Sequence, residues 1–295
     1  DGGTIVVGAP YQYPGGAVYK YNSNGGLIYS GSSSDYSALL GYSVAVSANG
    51  DTVVAGAPGT GGDGSGAITV YLADTTEFVI GSGGAPYDFL GNSVAISADG
   101  NIIVAGAPGQ DFDDDGLTRH DTGAARVFVK GTDWLDVTEE ELTARFFKSG
   151  NRLGQSVAMN ATGDKIVAGA PGSGAAAYVF VNSAGVWTED ARLTASGDSS
   201  VDVDVTVAIN PNGDTIVAGA PGFNAAYVFV NSAGGWTEDA TLTALSGNSE
   251  LGGAVAIASD GTIATGARFY GNGVVVVFGA PVPAAVESIT PEDPS

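Results

Sequence analysis

The tripeptide Gly-Ala-Pro returns with its glycine at Gly8, Gly56, Gly106, Gly169 and Gly219, and a decayed copy, Gly266-Ala267-Arg268, follows. The steps between these glycines are 48, 50, 63, 50 and 47 residues. A period near 50 is the length of one propeller blade or one solenoid coil, and such a unit cannot bury its apolar face alone. The chain must therefore fold as a stack or a ring of similar units.

Inside each unit the pattern is strand-like, with period two and many β-branched residues. Residues 90–97 (Leu-Gly-Asn-Ser-Val-Ala-Ile-Ser) read as a first strand, A. A two-residue turn, Asp99-Gly100, follows, and Asn49-Gly50, Asn212-Gly213 and Asp260-Gly261 match it. Strand B, residues 102–106, stops at Ala107-Pro108, where proline removes a ladder donor. A variable loop leads to strand C (67–71, 125–129, 177–181, 226–230), and an Asn-Ser-Ala-Gly turn leads to strand D (187–195, 236–244). Residues 138–147 align as a longer D strand.

Four antiparallel strands per unit, with no amphipathic helix between them, predict an all-β chain. The expected fold is a β-propeller of six four-stranded blades, with seven as the alternative if an upstream repeat is missing. Val44, Val94, Val157, Val207 and Val255 share one offset before each turn and should be equivalent. The propeller is expected over residues 1–280, and residues 281–295 form a Pro-rich tail that is either a linker or a strand-donating segment. Residues 1–8 align with 49–56, so the first blade should lack strand A. No obvious D strand follows Val274–Phe278. Residues 284–290 are the candidate to pair as a strand, within the propeller or on a neighbouring molecule.

Leu-Gly-x-Ser-Val-Ala, an Asp/Asn-Gly turn, Val-Ala-Gly-Ala-Pro and a Gly-Ala-led Val/Tyr/Phe strand together resemble the FG-GAP repeat family. The resemblance spans residues 1–278. It implies a propeller of the kind found in integrin α-chains and in secreted microbial and algal surface proteins. Calcium-binding members of the family resemble Asp-x-Asp-x-Asp-Gly in the A–B loop. Every A–B connection here reads as a tight turn, so those calcium sites are not carried over.

The 10 basic and 32 acidic residues give a formal net charge of −22, which disfavours nucleic acid and anionic membrane surfaces as partners. The longest apolar runs are too short to span a bilayer. No charged-then-apolar leader opens the chain, so any secretion signal is expected to be already removed. With no cysteine, disulfide scaffolds, thiolate catalysis and Cys-based zinc sites are excluded.

Residues 59–64 satisfy G-x-G-x-x-G, but a strand rather than a helix follows, so the segment reads as a B–C loop. Asp111, Asp113 and Asp115, with Gly116 next, place oxygens as the first half of a calcium loop would, and Asp121 can assist. The position where such loops carry a bidentate Glu is Thr122. A hydrated acidic loop is the competing reading, with calcium as the candidate cofactor. His120 reads as a surface residue. Trp134, Trp187 and Trp236 recur at one place in their repeats and read as inter-blade packing. Glu189-Asp190 and Glu238-Asp239 read as solvated edge charges. Asn160-Ala161-Thr162 is an N-glycosylation sequon. The A strands carry no acid, base or histidine, so no catalytic residue is expected at the axis.

Loop variation over a fixed scaffold is how propellers recognise partners. The expected function is therefore an extracellular or cell-surface, non-enzymatic interaction or adhesion module taking a protein or glycan through its face loops. The insertion at residues 109–122 is the expected recognition element. Two alternatives stay open: a filament or sheath subunit self-associating through its C-terminal tail, and a calcium-assisted lectin. Neither nucleic acid nor membrane insertion is expected.

Overall fold

The computed structural model describes residues 3–73, 77–81, 84–114, 117–145, 148–172, 174, 176–195, 205–232, 235–243, 250–267 and 273–279. They form six antiparallel sheets arranged as a six-bladed β-propeller, with a separate two-stranded hairpin in one loop. Blade 2 is Ser43–Val46, Thr52–Ala57, Ala67–Leu72 and Glu77–Ile80, paired in that order. Blade 3 is Val94–Ile96, Ile102–Ala107, Ala124–Lys130 and Val137–Leu142. Blade 4 is Ser156–Met159, Lys165–Ala170, Ala176–Ser183 and Val186–Leu193. Blade 5 is Thr206–Ile209, Thr215–Ala220, Ala225–Ser232 and Gly235–Thr243.

The outer two blades are shorter. Blade 1 has Thr4–Ala9, Ala17–Asn22 and Leu27–Ser32, with no strand A among the described residues. Blade 6 has Leu251–Ile257, Ile263–Ala267 and Val274–Phe278, and among the described residues lacks strand D. Residues 284–290 lie outside the described residues. The five valines pair with Ala55, Ala105, Ala168, Ala218 and Thr265, each the residue before the Gly-Ala-Pro glycine or its counterpart, so they are equivalent.

In the middle blades strand B is apolar on both faces because both faces are covered. Val53 and Ala55 pack into the cluster shared with blade 1, and Val54 into the one shared with blade 3. The glycines of the repeat have a second reason. A Cβ built on Gly8, Gly56, Gly106 or Gly219 would lie 1.8–2.1 Å from the carbonyl oxygen of Gly41, Gly91, Gly154 or Gly252 in the next blade. The Gly-Ala-Pro glycine and the Leu-Gly glycine are thus two halves of one inter-blade backbone contact, with no room for a side chain.

Three local expectations need correcting. The Leu-Gly at the head of the unit is not strand in blades 2, 3 and 4: in blade 3 the strand begins only at Val94, and only in blade 6 does the strand take in Leu251-Gly252. The A–B connections are wider than two residues. Ser47 pairs with Thr52 through a 2.9 Å N–H···O bond, and Gly50, at φ +78°, donates to the Ser47 carbonyl at 2.9 Å. That is a type I turn followed by a left-handed glycine. Trp134 sits in the C–D turn before its D strand, whereas Trp187 and Trp236 lie within theirs. All three still pack at inter-blade clusters.

The acidic pair Glu189-Asp190 on the outer strand of blade 4 does more than meet solvent. Asp190 and Asp239 are the extra residues of β-bulges. The bulge turns Asp190 toward blade 5, where it accepts the Trp236 indole N–H at 3.0 Å. Glu189 accepts the Arg145 N–H at 2.6 Å from blade 3. These carboxylates tie neighbouring blades.

The inner turns link around the axis. Ala48 N–H donates to the Ala98 carbonyl, Ala98 to Ala161, and Ala161 to Pro211, at 2.9–3.1 Å. Pro211 has no N–H, so the run stops there. At the two ends, the outward faces are uncovered: Ile5 is 49% exposed and Val275 59%, whereas Val53, the blade 2 counterpart of Ile5, is fully buried. Among the described residues no helix is long and apolar enough to cross a membrane.

Candidate ligand-binding face

Four of the connections from a D strand to the next A strand end in a tight turn of fixed geometry. In Leu39-Leu40-Gly41-Tyr42 the Tyr42 N–H donates to the Leu39 carbonyl at 3.0 Å, and Gly41 has φ +86°. Glycine at the third place with positive φ is what a type II turn requires. The same turn recurs at Phe89–Asn92, Arg152–Gln155 and Glu250–Gly253, closed at 3.0–3.2 Å. The second residue, always Leu, is buried between blades. The first sits in the left-handed region in all four, at φ +51° to +58°. Such a backbone costs energy in a non-glycine residue and persists where the surroundings hold it.

At each of these four places the turn therefore fixes two variable side chains beside the mouth of the axis. Leu39 with Tyr42, Phe89 with Asn92, and Arg152 with Gln155 line one cavity of about 440 Å³, together with Pro58, Pro108 and Asp121. A second hollow of about 160 Å³ continues past Gln155 to Thr206 and Glu250. Asn92 Nδ2 donates to the Gln155 carbonyl at 2.9 Å, tying blades 3 and 4 at the cavity wall.

The long insertion folds as a small hairpin, Phe112–Asp114 with Leu117–Arg119, beside this mouth. Its acids have local partners. Asp111 Oδ2 meets His120 Nδ1 at 2.8 Å, and Oδ1 accepts the Asp121 N–H at 2.9 Å. Burial opposes ionisation of Asp111, but the Asp121 N–H and His120 outweigh it and hold the carboxyl below its usual range. Asp113 accepts the Thr118 hydroxyl at 2.6 Å. Asp121, at φ +52°, lines the cavity, and its carbonyl accepts the Arg152 N–H at 2.9 Å. Asp115 lies outside the described residues. Among the described residues no three acidic or histidine side chains converge as metal ligands do. His120 is exposed, as expected, but pairs with Asp111 rather than its neighbour.

Asn160 sits in the A–B turn of blade 4, buried. Its Nδ2 donates to Asp164 at 2.7 Å and Thr162 at 3.0 Å, and its Oδ1 accepts the Lys165 N–H at 2.9 Å. The amide that a glycan would need is engaged in closing the turn. Residues 59–64 form a wide loop that runs into strand Ala67–Leu72, as the B–C reading requires.

Sequence reasoning missed the aromatic character of this face. Tyr11 and Tyr13 in the blade 1 B–C loop, Tyr36 and Tyr42 in the following connection, and Tyr87 and Phe89 in the next are all exposed. B–C loops and D–A connections share one edge of every blade, so all six rings stand on one face. Tyr13 and Tyr36 meet edge-on, with ring centroids 5.5 Å apart. The available signal was placement: nine of the twelve tyrosines fall within residues 1–118.

No family model and no curated protein matches this sequence. Its structure matches 667 chains of known structure. One is the crystal structure of a candidate 6-phosphogluconolactonase from Bacteroides uniformis, with a TM-score of 0.63 and 13% identity, covering 97% of this chain and 81% of that one. At that identity the likeness concerns the propeller fold.

Proposed function

We propose that this protein is an extracellular or cell-surface, non-enzymatic interaction module that takes a protein or glycan ligand on the face bearing the D–A turns. The carrying observation is the recurring type II turn, which presents different side chains at each of its four places, three of them around a cavity of about 440 Å³. A fixed backbone with variable tips is how a scaffold is adapted to a partner. Exposed tyrosines, with Ser, Gly and Asn around them, are the composition of adaptable binding surfaces. The FG-GAP resemblance of the repeats supports a surface setting.

The named activity of the Bacteroides neighbour is the natural competitor. A phosphosugar needs convergent cations, and among the described residues Arg152 is the one basic group lining the cavity, with Asp121 also in its wall. Glycan and cell-surface protein arrays, with and without calcium, should be probed with the wild type and a Phe89→Ala/Arg152→Glu double variant. A ligand held by the wild type and lost by the variant supports this reading. Ligands indifferent to the change, or turnover of 6-phosphogluconolactone abolished by it, overturn it.

The uncovered faces at Ile5 and Val275 favour a second reading, a filament subunit that stacks its end blades on other copies. Sedimentation of the full chain and of a chain ending at Pro283 separates the two.

A further inference from the structure

The two ends of the chain differ in charge chemistry as sharply as in aromatic content. Residues 1–118 contain twelve acidic side chains and a single cation, Lys20. Lys20 is buried on the C strand of blade 1, its ammonium 5.8 Å from the Tyr29 ring centroid. The remaining nine Lys and Arg all follow residue 118. Blades 1 and 2 therefore present no exposed cation of their own among the described residues, while carrying Tyr11, Tyr13, Tyr36, Tyr42 and Tyr87 on one face.

Two carboxylates stand among those rings. Asp35 Oδ1 accepts the Ser37 N–H at 3.0 Å and its hydroxyl at 2.8 Å, and Oδ2 accepts the Gly61 N–H at 3.1 Å. These donors hold Asp35 below its usual range, so it stays charged. Asp63 accepts the Ser65 N–H at 3.0 Å, and its carbonyl accepts the Tyr87 N–H at 3.0 Å, which ties the Tyr87 backbone to the same loop. Exposed π faces and fixed negative charge on one surface favour the same partner. An aromatic face attracts a guanidinium or ammonium through its quadrupole, and the surrounding field raises the rate of encounter. An acidic glycan or peptide would meet repulsion there.

We infer that the tyrosine-rich face of blades 1 and 2 docks a cationic protein segment, its Arg or Lys side chains laid over the exposed rings and paired with Asp35 and Asp63. The inference rests on the reading of this face as a binding surface and narrows the partner to one chemistry. Arginine suits the site better than lysine, because its planar group stacks on a ring while its edge meets a carboxylate.

The test is titration of the full chain with a synthetic Arg-Ser repeat peptide, with a Glu-Ser peptide as counterpart. The Arg-Ser peptide should bind, and added salt should weaken it. Tyr13→Ala with Tyr36→Ala should weaken it by about five-fold or more, whereas the two Tyr→Phe changes, which keep the rings, should leave it nearly unchanged. Asp51→Asn removes one charge from the opposite face and should matter little. Equal loss from Asp51→Asn and from the tyrosine pair would mean attraction to net charge alone and would overturn the inference. No binding of the Arg-Ser peptide, together with an array ligand lost in Phe89→Ala/Arg152→Glu, would overturn the cationic partner while leaving the binding face standing. If neither ligand depends on the face, both readings fall.

Discussion

A β-carbon added at Gly106 would lie 1.8 Å from the Gly154 carbonyl oxygen. Gly154 cannot easily step back, because its own N–H is bonded to the Gly169 carbonyl at 3.0 Å and it sits at φ +88°. Gly106→Ala should therefore destabilise the protein by roughly 1–3 kcal/mol, the usual cost of forcing extra volume into a packed site. Gly235, on an outer strand, has nothing within 4 Å of its would-be Cβ, so Gly235→Ala should stay within about 0.5 kcal/mol of the wild type. Urea unfolding of the pair measures both, and equal midpoints would remove the close-contact explanation. The repeat of this glycine is plain in the sequence, but its reason is not. The partner atom belongs to the next blade, and no local pattern names it. Asn160 shows the reverse: its sequon is readable, while its burial follows from the turn it closes.

The A–B turn is the element in which charge and fold are most tightly joined. Asp99 accepts the Ser97 hydroxyl at 2.6 Å, the Asn101 N–H at 3.1 Å and the Asn101 side-chain amide at 2.9 Å. The Ser97 hydroxyl is the largest of the influences that hold Asp99 below its usual range. Asp164 is depressed in the same way by Thr162 and Asn160 in the next turn. A carboxyl whose folded pKa is depressed adds stability that is complete above its unfolded pKa and drains as pH falls through the folded value. Asp99→Asn should thus be less stable than the wild type at neutral pH, and the gap should close as the pH falls below the ordinary aspartate range. A gap that stays constant in acid would place the effect outside ionisation. At this scale the strands and their equivalence were legible, because period two and the repeat reinforce each other. The x-Leu-Gly-x turns were not, since Leu-Gly-Asn-Ser continues the apolar run into Val94 and reads as strand. The functional face was hidden with them. Its side chains differ from blade to blade, so a search for repeats looks past them, and only the backbone shows that they occupy one place.

On the scale of the whole molecule, stability should grade from the middle of the chain to its ends. In a repeat architecture each unit is held by its own fold and by contacts with its neighbours, so a unit covered on one face opens more easily. Blades 3 and 4 are four-stranded and buried on both faces, with Val104 and Val167 fully enclosed. Blades 1 and 6 have three described strands and one uncovered face each, marked by Ile5, Val7 and Val275. The ladder of inner turns also stops at Pro211, so blade 6 lacks the link that joins blades 2 to 5. Hydrogen exchange under native conditions should then release the amides of Thr4–Ala9 and Ile263–Ala267 first, and those of Ile102–Ala107 and Lys165–Ala170 only on global opening. Raising the protein concentration separates the two functional readings within the same measurement. A monomeric binding module keeps its end blades labile at every concentration. Copies that stack through those faces protect them progressively, because apolar surface such as Ile5 and Val275 leaves water on association. Uniform protection at the lowest concentration would show the end blades to be as firmly held as the middle ones, and the gradient would have to be abandoned.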